Sequence, residues 1–269
     1  MAAILSDDRF ARWLAALEAR YLADLTFQEV SRALRALSAV YVERRARLGR
    51  RGALAGRGTR AAFALFYGPL HHLLVREIVQ ALPGAAEPAP KLPVLVDLGC
   101  GTGASGAAWA AAWTAAPGLP GPPLVLGIDR HPWALAEAAR TYREFGLTSR
   151  VRQADLGVAG LPKPPVSVLA AFALNELPPA ARDALLTRLV DRARAGRAPR
   201  QADRLLIVEP IAGFVSPWWT RWRNAIVAAG GRADEWRFRV QLPPVIAKLD
   251  QAAGLNHQEL TGRSLWLMR

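Results

Sequence analysis

One cysteine, Cys100, is present among 269 residues. A lone thiol excludes an intrachain disulfide and any cysteine cluster that could hold a metal. Long apolar runs are also missing: no stretch approaches the roughly 18 uninterrupted apolar residues that a membrane-spanning helix needs. The first ten residues lack a basic segment followed by a long apolar run, so no secretory leader is expected. A cytoplasmic protein without a membrane partner is the resulting expectation. Histidines 71, 72, 131 and 257 show no metal-ligand spacing, and no metal site is expected. His71 and His72 read as surface or core residues.

Lysine is scarce as well. Only Lys91, Lys163 and Lys248 occur among 35 basic residues, so arginine supplies 32. With 22 acidic residues the formal net charge is +13. Such a balance favours anionic partners, nucleic acid above all. Arginine-, alanine- and proline-rich usage also follows from GC-rich coding, which explains arginine over lysine better than it explains the excess of base over acid. The chain is 52% apolar, enough to fill a sizeable core, and its alanine content favours helices.

Residues 7–48 have helical periodicity. Phe10, Trp13, Leu14, Leu17 and Tyr21 recur three and four apart, as do Val30, Leu34, Leu37 and Tyr41. Thr26 with Glu29 forms a capping-box pattern. The stretch Glu43 to Arg60 holds seven arginines (44, 45, 47, 50, 51, 57 and 60) and four glycines; it reads as a mobile loop. Helix resumes over 60–82, and 83–93 forms a Pro/Gly-rich linker. This divides the chain into a helical N-terminal region, 1–90, and a second domain, 91–269.

From Val94 short apolar runs alternate with helical segments. Strands are expected at 94–96, 124–128, 151–155, 166–172 and 204–208, with helices at 104–116, from about 129 to 145, and at 179–195. This alternation predicts an α/β fold with a parallel sheet covered on both faces. Residues 212–240, rich in Trp and Arg, read as an insertion. A helix near 244–253 follows. Two short segments, 255–260 and 264–268, are expected to pair as a closing antiparallel hairpin.

The central motif is Val94-Leu-Val-Asp-Leu-Gly-Cys-Gly-Thr-Gly103. A strand leads into a turn where Gly99, Gly101 and Gly103 allow a ligand close to the backbone. The helix that follows offers N-terminal amides to an anion such as a carboxylate. Gly101-x-Gly103-x-x-Gly106 also fits a dinucleotide fingerprint, with Asp129 near the place of a ribose-binding acid. Asp97 argues against this alternative, because its charge crowds a pyrophosphate. No complete second nucleotide-binding half follows.

Val-Asp-Leu-Gly-Cys-Gly-Thr-Gly resembles the first motif of class I S-adenosylmethionine-dependent methyltransferases, over about residues 90–269. The resemblance implies a Rossmann-like, seven-stranded, mostly parallel sheet with a C-terminal antiparallel hairpin. It implies S-adenosylmethionine as cofactor. Asp97, Gly99, Cys100, Gly101 and Gly103 would then surround the methionine part, and Asp129 with Arg130 the ribose. Asp155 would accept from the adenine amino group, with Leu156 beside the ring. Each of Asp129 and Asp155 also reads as a surface loop acid or a helix cap.

In such proteins the acceptor enters beside the loop after the fourth strand, here Ala173-Leu-Asn-Glu-Leu-Pro178. Asn175, Glu176 and Glu209 are therefore the catalytic candidates, with helix capping the plain alternative for the first two. Asn-Glu-Leu-Pro departs from the Asp/Asn-Pro-Pro-aromatic signature of amino-directed nucleic-acid methyltransferases. A covalent cysteine mechanism is also disfavoured, since Cys100 lies in the cofactor loop. Trp218, Trp219, Trp222 and Trp236 with neighbouring arginines suit unpaired bases, but equally suit core packing.

Phe27 to Arg45, a further helix and the cofactor motif are similar to the mitochondrial-type ribosomal small-subunit methyltransferase-like family. Together with Asn175-Glu176-Leu177 this implies action on ribosomal RNA or in small-subunit assembly. The cysteines that bind an iron–sulfur cluster in many members are absent. Three functions are thus open: an RNA-directed methyltransferase, a small-molecule methyltransferase with a helical lid, and a non-catalytic cofactor-binding assembly factor.

Overall fold

Helix periodicity in the first third of the chain is realised directly. The computed structural model describes residues 8–43, 54–88, 93–114, 122–195, 203–211 and 216–268, apart from the side chains of 39–43. Two compact units emerge: Met1–His71 with Arg239–Gln258, and His72–Phe238 with Glu259–Arg269. The division at 71/72 precedes the expected boundary at 90, and one internal segment belongs to the first unit. Among the described residues, no helix is long and apolar enough to cross a membrane.

In the first unit, α1 (Asp8–Tyr21) buries Phe10, Trp13, Leu14 and Leu17. Helix α2 (Phe27–Glu43) buries Val30, Leu34 and Leu37. Its start carries the expected capping box: Thr26 N–H donates to Glu29 Oε2 at 2.7 Å, and Glu29 N–H to Thr26 Oγ1 at 3.3 Å. The Tyr41 side chain and Arg44, Arg45, Arg47, Arg50 and Arg51 lie outside the described residues. The end of the expected mobile loop is ordered: Arg57–Ala62 forms helix α3. Gly58 lets this helix lie against α2, since a Cβ there would stand 3.2 Å from Ala33 Cβ. A π-helical turn, Phe63–Tyr67, leads into α4 (Gly68–Ala81).

The second unit is built on a seven-stranded sheet. Its strands are β1 (Val94–Leu98), β2 (Leu124–Asp129), β3 (Thr148–Gln153), β4 (Ser167–Ala171), β5 (Arg204–Glu209), β6 (Arg232–Arg239) and β7 (Glu259–Leu267). Their order is β3-β2-β1-β4-β5-β7-β6. The pairings from β3 to β5 are parallel, and β7 runs antiparallel to β5. Strands β4 and β5 are buried along their whole length, as continuous apolar runs in a doubly covered sheet require. Helices α5 (Ala104–Thr114), α6 (Pro132–Glu144), α7 (Pro179–Arg194) and α8 (Trp219–Ala228) connect them, and α9 (Pro244–Ala252) belongs to the first unit.

The antiparallel close of the sheet is as expected, but its strands are not. Residues 259–267 form one strand, and its outer neighbour is β6. Gly262, between the two expected segments, sits mid-strand where a Cβ would meet Leu74 Cδ2 at 2.9 Å. The supposed insertion at 212–240 therefore supplies α8 and the edge strand of the sheet. On α8, Trp219, Trp222 and Ile226 are buried. Trp222 meets Trp218 edge to face with ring centroids 5.3 Å apart. These rings pack the core and offer no open faces.

Elsewhere in this unit a buried imidazole joins α4 to the start of α5. His72 donates from Nδ1 to Ala104 O at 3.2 Å and lies beside the Phe145 ring. Burial, reinforced by the Arg76 charge, pushes its pKa down to about 3. The folded chain thus refuses a proton that the unfolded chain accepts below about pH 6.5. This contribution to stability is complete above pH 6.5 and is lost as pH falls towards 3. Urea unfolding of the wild type should therefore weaken by up to about 1.4 kcal/mol per pH unit below 6.5 relative to His72→Asn. Parallel pH profiles for the two proteins would refute that assignment.

Candidate cofactor site and active site

Reversal of strand order between β1 and β4 opens a crevice at the carboxyl ends of the parallel strands, where open α/β sheets bind ligands. The glycine-rich loop emerges there. Gly99, Gly101 and Gly103 have φ of +69°, +53° and +76°, a region that penalises side chains. Packing fixes them too: a Cβ at Gly99 would lie 2.5 Å from Ala173 Cβ. These glycines serve the close approach of protein to protein, beyond the room for a ligand that the motif suggests.

The loop amides are largely committed. Gly99 and Cys100 N–H both donate to Ile128 O, at 2.8 and 3.0 Å, and Gly103 N–H donates to Cys100 O at 2.8 Å. Gly101 N–H donates to Asp129 Oδ2 at 3.0 Å. The first intrahelical bond of α5 is Ala107 N–H to Gly103 O. The amides of Ala104, Ser105 and Gly106 precede it and form the anion-favouring helix start.

Asp97 is 1% exposed and accepts from Tyr142 Oη at 2.9 Å. Burial first, and the Asp97 charge second, hold the Tyr142 hydroxyl well above its ordinary pKa, so it remains a donor. A Cβ at Gly106 would fall on Asp97 Oδ2. Glycine in the first turn of α5 therefore lets this carboxylate sit against the helix start.

Asp129, at the end of β2, is 7% exposed. It clamps two turns at once, accepting from Gly101 N–H on Oδ2 and from His131 N–H on Oδ1, the latter at 2.8 Å. Asp155 follows β3 and is exposed. Its Oδ1 accepts from Gly157 N–H at 2.8 Å, so it caps a turn while Oδ2 stays available. Leu156 leans over the loop, with Cδ2 3.3 Å from where a Gly99 Cβ would be. Asp97, Asp129 and Leu156 thus converge on the loop, with Asp155 at its rim.

The catalytic candidates divide into two groups. Asn175 is held at both ends: Nδ2 donates to Glu209 Oε2 at 3.0 Å, while Oδ1 accepts from Trp218 Nε1 at 2.8 Å and Ser216 Oγ at 3.2 Å. Glu209 is fully buried and also accepts from Leu174 N–H at 3.3 Å. These two residues brace one another. Glu176 is half-buried and forms an ion pair with Arg130 at 3.3 Å, tying the β4 exit to the β2 exit.

Three features of this region carry no sequence signal. Phe172 adopts φ +57° directly after β4, a strained state for a bulky residue. It redirects the chain so that Ala173 lies against Gly99. Tyr142 and the buried arginines 182 and 263 depend on tertiary packing alone. The histidines have local tasks: His131 caps α6 by accepting from Trp133 N–H at 3.2 Å, and His257 pairs with Asp250 in the first unit. Among the described residues no group of three metal-ligating side chains gathers.

No protein-family model and no curated protein matches the chain. Solved structures do share its architecture. A candidate class I S-adenosylmethionine-dependent methyltransferase from Listeria monocytogenes is 10% identical, with a TM-score of 0.52 over 98% of this chain and 89% of that one. A candidate RNA methyltransferase from Pyrococcus horikoshii is 12% identical, TM-score 0.44, over 75% and 85% of the two chains. A precorrin-6y C5,15-methyltransferase from Geobacter metallireducens is 12% identical, TM-score 0.42, over 72% and 87%. At 10% identity the likeness to the Listeria structure shows the Rossmann-like fold alone.

Because Gly106 makes room for Asp97, Gly106→Ala should cost about 1–3 kcal/mol as an overpacked core does. Urea denaturation measures this; an unchanged midpoint and slope would show that the carboxylate is free to move aside.

Proposed function

We propose that the chain is an S-adenosylmethionine-dependent methyltransferase. The reading rests on one observation: the loop at the strand-order reversal carries a buried carboxylate on each side, Asp97 and Asp129, next to the N-terminal amides of a helix. An amino-acid nucleoside needs such an alternation. Its carboxylate suits the amides of Ala104 to Gly106, its ammonium suits Asp97, and its ribose hydroxyls suit the carboxylate of Asp129. A dinucleotide would bring a pyrophosphate against Asp97.

In this reading Gly99, Cys100, Gly101 and Gly103 wall the methionine part, Arg130 flanks the ribose, and Asp155 Oδ2 with Leu156 receives the adenine. The bound cofactor supplies an activated methyl group on a sulfonium. The protein positions the acceptor and handles its proton. Glu176, half-buried and steadied by Arg130, is the group placed to accept that proton. Asn175 and Glu209 shape the acceptor side and act as positioning residues.

For the acceptor, the net charge of +13 supports RNA, including ribosomal RNA or an assembling small subunit in the cytoplasm. The arginines on the described surface temper this. Arg221 pairs with Asp183 at 2.6 Å, and Arg232 with Asp234. A second reading, a small acceptor, is favoured by the burial of Trp218, Trp219 and Trp222, which removes them as base-stacking platforms.

Asp129→Ala should weaken S-adenosylmethionine binding by about 1–3 kcal/mol, the scale of a lost charged hydrogen bond, read by calorimetry. Unchanged affinity would remove Asp129 from the ribose position. Labelled methyl transfer to cell extract should appear with the wild type. Loss of that signal after ribonuclease treatment identifies RNA as acceptor, and its persistence identifies a small molecule or protein. Cofactor binding without transfer to extract or ribosomal particles would mark a non-catalytic factor.

A further inference from the structure

Two buried guanidinium groups lie beside Asn175, and among the described residues neither has a carboxylate within ion-pair distance. Arg182 stands in the first turn of α7, and Arg263 at the centre of β7. They are 8% and 5% exposed. Each rests on an indole: the Arg263 guanidinium is 4.1 Å from the Trp219 ring centroid, and Arg182 is 5.3 Å from that of Trp218. The two indoles are 6.0 Å apart. Trp218 Nε1 donates to Asn175 Oδ1 at 2.8 Å, and Glu209 is the cross-strand partner of Arg263. Both cations, both rings, Asn175 and Glu209 therefore form one cluster at the carboxyl ends of β4 and β5.

The cluster is rich in donors. Arg182 Nε and Arg263 Nε and Nη2 are buried with no hydrogen-bond partner among the described residues. Glu209, which faces both groups, already accepts from Leu174 N–H and Asn175 Nδ2. Burial lowers both guanidinium pKa values; Asp183 and Glu209 oppose the shift at Arg182, and Glu209 and Glu235 oppose it at Arg263. What the cluster leaves open is hydrogen-bond donors in a desolvated place. Apolar side chains would fill such a space at lower cost, because desolvated charge lacking full hydrogen bonding is unfavourable. Arg192 by contrast donates to both Asp203 and Pro162 O, while Arg188 on α7 also keeps Nε and Nη2 buried without a partner. What sets Arg182 and Arg263 apart is their shared place on the two adjacent indoles beside Asn175.

We infer that Arg182 and Arg263 form an oxyanion-binding subsite beside Asn175, which takes the carboxylate or phosphate group of a small acceptor. The guanidinium fork fits either oxyanion, and the indole faces hold the forks flat. A terminal anionic group can reach so enclosed a pair, whereas an internal phosphodiester carries chain on both sides. The assignment of the anion to an acceptor rests on the methyltransferase reading; the subsite itself rests on the cluster.

Titration of the full-length chain with inorganic phosphate, and separately with acetate, followed by calorimetry at pH 7, tests this. Saturable binding of at least one anion is expected. Arg182→Gln and Arg263→Gln should each weaken it tenfold or more, Arg263→Lys should retain part of it, and Arg143→Gln on α6 should leave it unchanged. Circular dichroism checks the fold of each variant, and the wild-type titration stands even where a variant fails to fold. S-adenosylmethionine affinity, measured on the same samples, should be unaffected by the two glutamine variants, which separates failure of the subsite from failure of the cofactor reading. Absence of saturable binding of either anion to the wild type, or equal binding by folded glutamine variants, overturns the subsite. Displacement of the bound anion by a short single-stranded RNA overturns the small acceptor.

Discussion

The carboxylate of Asp129 holds two chain turns against each other, the glycine-rich loop through Gly101 and the start of α6 through His131. It does so from the end of β2, while Gly99 and Cys100 bond to the carbonyl of the preceding residue, Ile128. The loop is thus fixed to β2 on one side. On the other, Gly99 abuts Ala173, whose placement depends on the left-handed turn at Phe172. Remove the Asp129 carboxylate and the loop loses its anchor at the point where β1 and β4 part. Everything at the crevice inherits its position from that junction. One carboxylate suffices for both turns, because each of its oxygens meets a separate backbone donor.

A second junction lies at the ends of β4 and β5. Asn175 spans Glu209 on β5 and Trp218 before α8, so the β4 exit, the β5 end and the start of α8 move together. A buried glutamate is tolerated here because amide and backbone donors meet it. The same arrangement explains why neither Asn175 nor Glu209 is well suited to take up a proton: their polar atoms are engaged with each other. Glu176, one residue further, escapes this bracing and faces Arg130 instead. Adjacent residues in one short turn therefore differ in role, and the difference comes from which neighbours their side chains reach.

Much of this was legible in the residues, unevenly. Strands β1, β2, β4 and β5 announce themselves as apolar runs because both sheet faces are covered. The loop and its acids follow from glycine spacing at a strand end. Strand β6 escaped notice because it is an edge strand: Arg232, Glu235, Arg237 and Arg239 are exposed and alternate with half-buried residues, so its pattern resembles a charged loop. Strand β7 looked like two pieces because Thr261, Gly262 and Arg263 interrupt its apolar run, although Gly262 and Arg263 are buried. Charge at Arg263 and conformational freedom at Gly262 are local signals, and tertiary contacts override both. Phe172 could not be foreseen on any local ground, since a bulky residue disfavours positive φ.

The tryptophan-rich segment shows how one composition supports opposite readings. Aromatic rings with guanidinium groups suit a surface that stacks bases, and they suit a core equally well. Burial decides between them. Trp218, Trp219 and Trp222 are at most 8% exposed, so their faces are spent on one another and on Arg182 and Arg263. An arginine on the open surface can exchange a stacked ring for water at little cost, but a buried one cannot. The charges that remain inside this cluster are therefore more informative than the larger number outside it. Thirty-two arginines can reflect coding bias, whereas two enclosed beside Asn175, with donors left open, call for an anion.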